Sequence, residues 1–333
     1  MSEFVNEMKT YLKNGICKDA DIFHDYTTEF CVQTMPNYGV EKYLYTGDSI
    51  KYELDSELVL LYDKFRDLLF KDTDEYYSEL KIMPIFVQEA GYDSDCVLDK
   101  DMFLKLVNEY KDKVPNLYKH LYLVDIQFLI ATVQNLLEGM DYSFTNYFVQ
   151  ISNIELENHL TDEKDTVLML SSQDSGYLSS LVESYFTKAY SILDILTKIC
   201  YEFEYKYDSF ENFKKTKSAN ILWGDRKKLS IKDETGTVFI RSDTIKLVES
   251  LRHEVVHNGS LEQNPKVYIS FKSNEIVERF MLLPDYVDGN LSTVKNRKHF
   301  FSDGNKVNDL LPELHIAYLK EILSTIKFLN TKY

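Results

Sequence analysis

Residues 178–203 read LSSLVESYFTKAYSILDILTKICYEF. Leu178, Leu181, Val182, Tyr185, Ala189, Ile192, Leu193, Leu196, Ile199 and Phe203 recur at the i, i+3, i+4, i+7 spacing of one helical face. The stretch contains no Gly or Pro, and at 3.6 residues per turn it makes about seven turns. So long a stripe needs other helices to cover it, which predicts one wall of a helical bundle. Composition agrees. The 333 residues are 44% hydrophobic and include 25 Tyr and 20 Phe but only 11 Gly and 6 Pro, a balance that favours helices over a turn-rich β fold. The predicted class is mainly α: a helical N-terminal domain, then an antiparallel helix bundle with a small β and loop insertion.

Upstream of the stripe, two polar runs (Thr161 to Asp165 and Ser171 to Gly176) mark the expected boundary, giving domains 1–165 and 166–333. In the first, Leu58, Leu61, Phe65, Leu68 and Leu69 predict one helix, and Phe103, Leu106, Val107 and Tyr110 predict another. Asp55-Ser56-Glu57 and Asp99-Lys100-Asp101 read as their N-terminal caps, and Pro84, Gly91 and Pro115 as helix breaks. Residues 121–136 are the most apolar stretch. They include Asp125, Gln127 and Gln134 and are too short to span a bilayer, so a buried helix is expected. Glu3 and Glu7 interrupt the place where a signal peptide would lie. His24, His120 and His159 stand alone and read as ordinary residues. Cys17, Cys31, Cys96 and Cys200, with no C-x-x-C spacing, read as free thiols of a reducing compartment. The expected setting is cytoplasmic, with no membrane partner.

The formal net charge of −16 is unevenly spread. Residues 1–160 hold 14 Lys and Arg against 29 Asp and Glu, and no Lys or Arg occurs from 120 to 163. The rest of the chain is close to neutral. Such asymmetry points to two modules with different partners, the acidic half being regulatory or partner-binding.

Downstream of the stripe lies a basic connector, Lys214, Lys215, Lys217, Arg226, Lys227 and Lys228, followed by a strand candidate, Thr237-Val238-Phe239-Ile240. A helix is expected from Ser242 or Asp243, as N-cap, to Asn258-Gly259, a pair suited to a left-handed C-cap. Residues 267–271 predict another strand. Residues 284–308 read as a loop carrying Lys295-Asn296-Arg297-Lys298-His299, and Leu314, Leu319, Ile322, Leu323, Ile326 and Leu329 predict a final helix.

The helix from 243 to 258 ends Leu251-Arg252-His253-Glu254-Val255-Val256-His257-Asn258-Gly259. At about 100° per residue, Leu247, Val248, Leu251 and Val255 share one face, with Ile245 and Val256 at its border. His253 and His257 share the polar side with Lys246 and Ser250, and Arg252 falls at the seam. His257 lies in the last turn, where the helix dipole favours a cation. His253-Glu254-x-x-His257 fits a zinc-protease signature, with two imidazole ligands and a glutamate base. That reading needs a third ligand, and the extended form of the motif fails because Ser260 and Gln263 stand where it requires Gly and His. No metal or cofactor is expected.

Arg252-x4-His257 followed by Asn-Gly resembles the signature of the HEPN superfamily. The likeness covers roughly residues 175–333 and extends to Tyr185-Phe186-Thr187-Lys188-Ala189-Tyr190-Ser191-Ile192-Leu193, which looks like that superfamily's first bundle helix. It implies a bundle of four or five helices, a homodimer that joins Arg and His of both copies in one cleft, and metal-independent endoribonuclease activity. It further implies a toxin or antiphage effector with RNA as substrate and an antitoxin or regulatory protein as partner. The residue types suit cleavage in which the RNA 2′-OH attacks its own phosphate and leaves a 2′,3′-cyclic phosphate. An imidazole can move protons, and a guanidinium can stabilise the transition-state phosphate. On this reading His257 transfers protons, Arg252 holds phosphate, His253 supports them, and Asn258 orients the phosphate or His257. Arg297, Lys298 and His299 are the candidate RNA contacts. Related toxins paired with nucleotidyltransferases carry a Tyr two residues after the motif His. Gly259 stands there in this chain, so control by modification of that Tyr is not implied. Two alternatives remain open, a HEPN module that binds nucleotide, RNA or protein without cutting, and the zinc protease.

Overall fold

The computed structural model describes residues 9–19, 30–37, 40–45, 48–91, 96–156, 165–205, 209–211 and 229–333. The basic connector, His24, His159 and residues 161–164 lie outside them. Among the described residues the first elements are strands β1 (Lys9–Leu12), β2 (Cys17–Asp19), β3 (Cys31–Asn37) and β4 (Val40–Tyr45). Helices α1 (Asp48–Leu69), α2 (Thr73–Leu80), α3 (Ile85–Glu89), α4 (Lys100–Tyr110) and α5 (Leu117–Ser152) follow. Then come β5 (Asp165–Leu170), α6 (Gln173–Glu204), α7 (Asp243–Asn258), β6 (Val267–Lys272) and β7 (Glu275–Phe280). Two short strands, β8 (Tyr286–Val287) and β9 (Asn290–Leu291), precede α8 (Val307–Lys332). The protein is mainly α, as expected.

By compactness it divides into two units. One draws on Met1–Tyr52, Leu136–Ile192 and Ile240–Ile322, the other on Glu53–Asn135, Leu193–Phe239 and Leu323–Tyr333. The boundary at residue 165 divides the sequence by polarity; the compact units are discontinuous and follow another partition.

The first unit holds the sheets. β2-β1-β3-β4 and β5-β6-β7 are both antiparallel in every pairing, and β8 and β9 form a two-stranded ribbon. The strands in residues 9–45 were not foreseen in an N-terminal half read as mainly helical. Their sequence signal is Asn14-Gly15, a hairpin-turn pair. Gly15 has φ +69° and lies so near the Arg279 carbonyl that a Cβ would fall 2.4 Å from its oxygen. Asn308, almost fully buried, gathers several elements. Its amide donates to the Lys13 and Arg279 carbonyls at 2.9 and 3.0 Å, and its oxygen accepts from the Tyr147 hydroxyl at 2.7 Å.

Other expectations are corrected locally. Asp55, Ser56 and Glu57 do not cap α1, because Leu54 extends the buried stripe upstream of Leu58 and the helix starts at Asp48. Val238–Ile240 form a 3₁₀ turn and not a strand: the Val238 amide donates to the Thr325 hydroxyl and the Phe239 amide to that of Thr237, so neither is left for a ladder. Asp99 does cap α4, accepting from the Met102 amide. At 36 residues α5 far exceeds the expected 121–136, and by length and composition it could cross a membrane. Yet 39% of its apolar window is buried inside the protein, and several of its polar groups are paired there.

In the second unit buried Glu79 accepts from the His120 imidazole at 3.1 Å and from the Asn116 side chain at 2.8 Å. His120 is thus a satisfied core residue. In the first unit His315 is buried between Tyr185, whose hydroxyl is 3.1 Å from Nδ1, and Asp141, 3.7 Å from Nε2, with the Phe144 ring stacked on it. Lys51 bonds Asp141 at 2.6 Å. Burial holds both imidazoles below their ordinary value of 6.5, against the pull of Glu79 and Asp141. Burial also opposes charge on Asp141, but His315 and Lys51 outweigh it and hold the carboxyl below its ordinary value. As pH falls below about 6.5 the unfolded chain protonates these histidines before the folded chain does, so stability drops. Asp141 adds a loss of the same sign at lower pH, as pH falls through its depressed folded value. The thermal midpoint should fall between about pH 7 and about pH 5. His315→Asn, which keeps an acceptor for Tyr185 but cannot titrate, should show a shallower fall in circular-dichroism melts; equal slopes would contradict this account.

Candidate functional site

α7 forms as its sequence dictates. The Ser242 hydroxyl accepts from the Ile245 amide at 3.2 Å, and Gly259, at φ +94°, closes the helix by donating to the Val255 carbonyl. Ile245, Leu247, Val248 and Leu251 are buried, Val255 is half-buried, and Val256 is exposed. The β8–β9 turn rests on the start of the helix, where Gly289 at φ +76° lies so near the Asp243 carbonyl that a Cβ would fall 2.5 Å from its oxygen.

At the other end His253 and His257 are both exposed, one turn apart, with ring centroids 4.4 Å from each other. Half-buried Arg252 lies to one side, its guanidinium carbon 4.3 Å from the centroid of the Tyr190 ring on α6. It is held beside the core, as its position at the seam of the helix predicts.

The burial of Glu254 and its contacts are what sequence reasoning missed. Only 4% of it is exposed. Its Oε1 accepts from His299 Nε2 at 3.0 Å, its Oε2 accepts from the Asn258 amide at 2.9 Å, and Lys298 Nζ is 3.8 Å from Oε2. The signal was present: Glu254 stands seven residues after Leu247 and so continues the apolar stripe. A carboxylate in that position needs donors. The Asn258 side chain thus makes a contact with Glu254 that the sequence reading did not foresee.

The segment that brings in His299 and Lys298 is tightly folded. Val294 and Arg297 exchange two backbone hydrogen bonds of 2.8 Å each, which turn the chain at Lys295 and Asn296. Buried Asp285 then closes the loop, accepting from the Ser302 amide at 2.9 Å, the Ser302 hydroxyl at 2.5 Å and the Asp303 amide at 3.0 Å. Burial opposes the Asp285 charge, but these donors hold its carboxyl below the usual range. Of the three expected RNA contacts, Lys298 and His299 are half-buried against Glu254, and Arg297 is exposed at the turn.

Among the described residues no group of three or more His, Cys, Asp or Glu is placed to hold a metal ion. Glu254, the general base of the zinc reading, is turned towards His299 and Asn258. A cavity of about 930 Å³ elsewhere in this unit, lined by Lys13, Phe30 and Lys320 among others, includes none of the motif residues. Comparison of the chain with protein-family models, curated proteins and solved structures finds no match.

The contact of Arg252 with Tyr190 should contribute about 0.5–1 kcal/mol to stability. A double-mutant cycle of Arg252→Ala and Tyr190→Leu, read by urea unfolding, measures it. A coupling energy of zero would mean the guanidinium is free.

Proposed function

We propose that the protein is a metal-independent endoribonuclease of the HEPN type, with α7 as its motif helix. In this reading α7 and the parts of α5, α6 and α8 within the first unit form the HEPN-like antiparallel bundle. The observation that carries it is the exposed imidazole pair, His253 and His257, at the C-terminal end of a helix whose neighbouring Arg252 is fixed on an aromatic face. RNA supplies its own nucleophile, so a site of this kind needs only proton carriers and a cation for the phosphate.

Arg252 and His257, five residues apart, project about 140° from each other around the helix. One copy therefore spreads them to two sides, and a cleft shared by two copies, as the resemblance implies, would offer both to one phosphate. A binding module that does not cut is the second reading.

RNA cleavage in excess EDTA separates the two. The wild-type chain should cut and leave 2′,3′-cyclic phosphate ends, and Arg252→Ala and His257→Ala should each lose about 10²-fold or more in rate. Binding of RNA by the wild type without cleavage would support the second reading. Cleavage that survives in both variants would remove these residues from the mechanism.

A further inference from the structure

Transfer of a phosphate from the 5′-oxygen to the neighbouring 2′-oxygen needs two proton movements, one off the attacking hydroxyl and one onto the leaving oxygen. His257 can perform one of them. We propose, on the basis of the ribonuclease reading above, that His299 performs the other, with Glu254 as its positioning residue.

The geometry determines which nitrogen is available. Ionised Glu254 is an acceptor only, so the 3.0 Å contact to Nε2 places a hydrogen on that nitrogen. In the neutral ring the Nδ1 lone pair is then left for substrate. No hydrogen bond engages Nδ1 among the described residues, and the imidazole is 24% exposed. A buried carboxylate that fixes the tautomer and orientation of a half-exposed imidazole is the arrangement by which a base is aimed. It also resists reversal, because turning His299 away would leave Glu254 with only the Asn258 amide and the more distant Lys298.

Placement supports the pairing. Glu254 is one turn from His257, and side chains at that spacing have Cβ atoms about 5–6 Å apart. Around the helix His257 falls between His253 and Glu254, so Glu254, the residue that holds the imidazole, lies nearer in angle to His257 than to Arg252. Of the charged or titratable groups on α7, Glu254 is in contact with His299, and Arg297 and Lys298 precede it on its own segment.

The step balances without a co-reactant. Nδ1 of His299 takes the 2′-OH proton, the 2′-oxygen bonds to phosphorus, and the bond from phosphorus to the 5′-oxygen breaks. The leaving oxygen takes a proton from the His257 imidazolium. The products are a 2′,3′-cyclic phosphate and a free 5′-hydroxyl. Arg297, exposed on the same segment, is the cation available to the phosphate.

The test uses the full chain in EDTA with two substrates, RNA and uridine 3′-(4-nitrophenyl phosphate), whose leaving group needs no proton. His299→Gln keeps a donor for Glu254 but cannot accept a proton, and it should lose about 10²-fold or more on both substrates. His257→Ala should lose RNA cleavage but retain the nitrophenyl reaction. Glu254→Gln keeps a polar neighbour for the ring but no longer fixes which nitrogen carries the hydrogen, so kcat should fall while KM stays near the wild-type value, a split that a purely structural role would not produce. Wild-type rates for His299→Gln alongside an inactive His257→Ala would overturn the assignment while leaving the ribonuclease reading intact. So would loss by His299→Gln on RNA alone, which would make it the acid. Should His299→Gln not fold, an unchanged kcat in Glu254→Gln overturns the proposal. A wild type inactive on both substrates removes the ribonuclease reading and this proposal together.

Discussion

A carboxylate on the buried stripe of a helix is the constraint around which the C-terminal end of α7 is built. Left without donors, Glu254 would cost several kcal/mol of desolvation. The helix itself supplies only Asn258, one turn on. The other donors have to come from another segment, and the chain between β7 and α8 provides them through its turn at residues 294–297 and the Asp285 clasp. The same segment touches the beginning of α7 through Gly289. Its length, more than a bundle of helices needs for a connection, follows from having to reach both ends of one helix.

What could be read in the sequence was whatever its own neighbours determine. The stripe of α6, the Ser242 and Gly259 caps of α7, the Asp99 cap of α4 and the apolar positions of α8 depend on residues within a few turns, and the structure has them. Strands are different, because a strand is defined by its partner. β5 pairs with β6 about a hundred residues later in the chain, beyond the reach of any local pattern, and it falls in a region read as a polar boundary. Val238, Phe239 and Ile240 have strand-like side chains, yet the hydroxyls of Thr237 and Thr325 take the amides a ladder would need.

The site divides along the same line. Helical angles alone place His253 and His257 together on the polar side and Arg252 at the seam. They cannot show that a segment about 45 residues later would fold back onto Glu254. Reading His-Glu-x-x-His as a motif drew attention to the glutamate as a base beside a metal, when its position seven residues after Leu247 marked it as buried.

Net charge is a poor guide to whether such a surface meets RNA. The chain carries −16, but exposed charges act over about a Debye length, near 8 Å at physiological salt. What matters is the local count. Residues 252–258 and 295–299 together contain seven basic side chains, counting histidine, and one carboxylate. That carboxylate is Glu254, buried and already matched by His299, Asn258 and Lys298. It therefore adds little repulsion at the surface, while it holds Lys298 and the His299 imidazole in place. The single acidic residue in these two stretches helps to organise their positive face, and a phosphate approaching the end of α7 would meet that organised face before it met the charge of the whole chain.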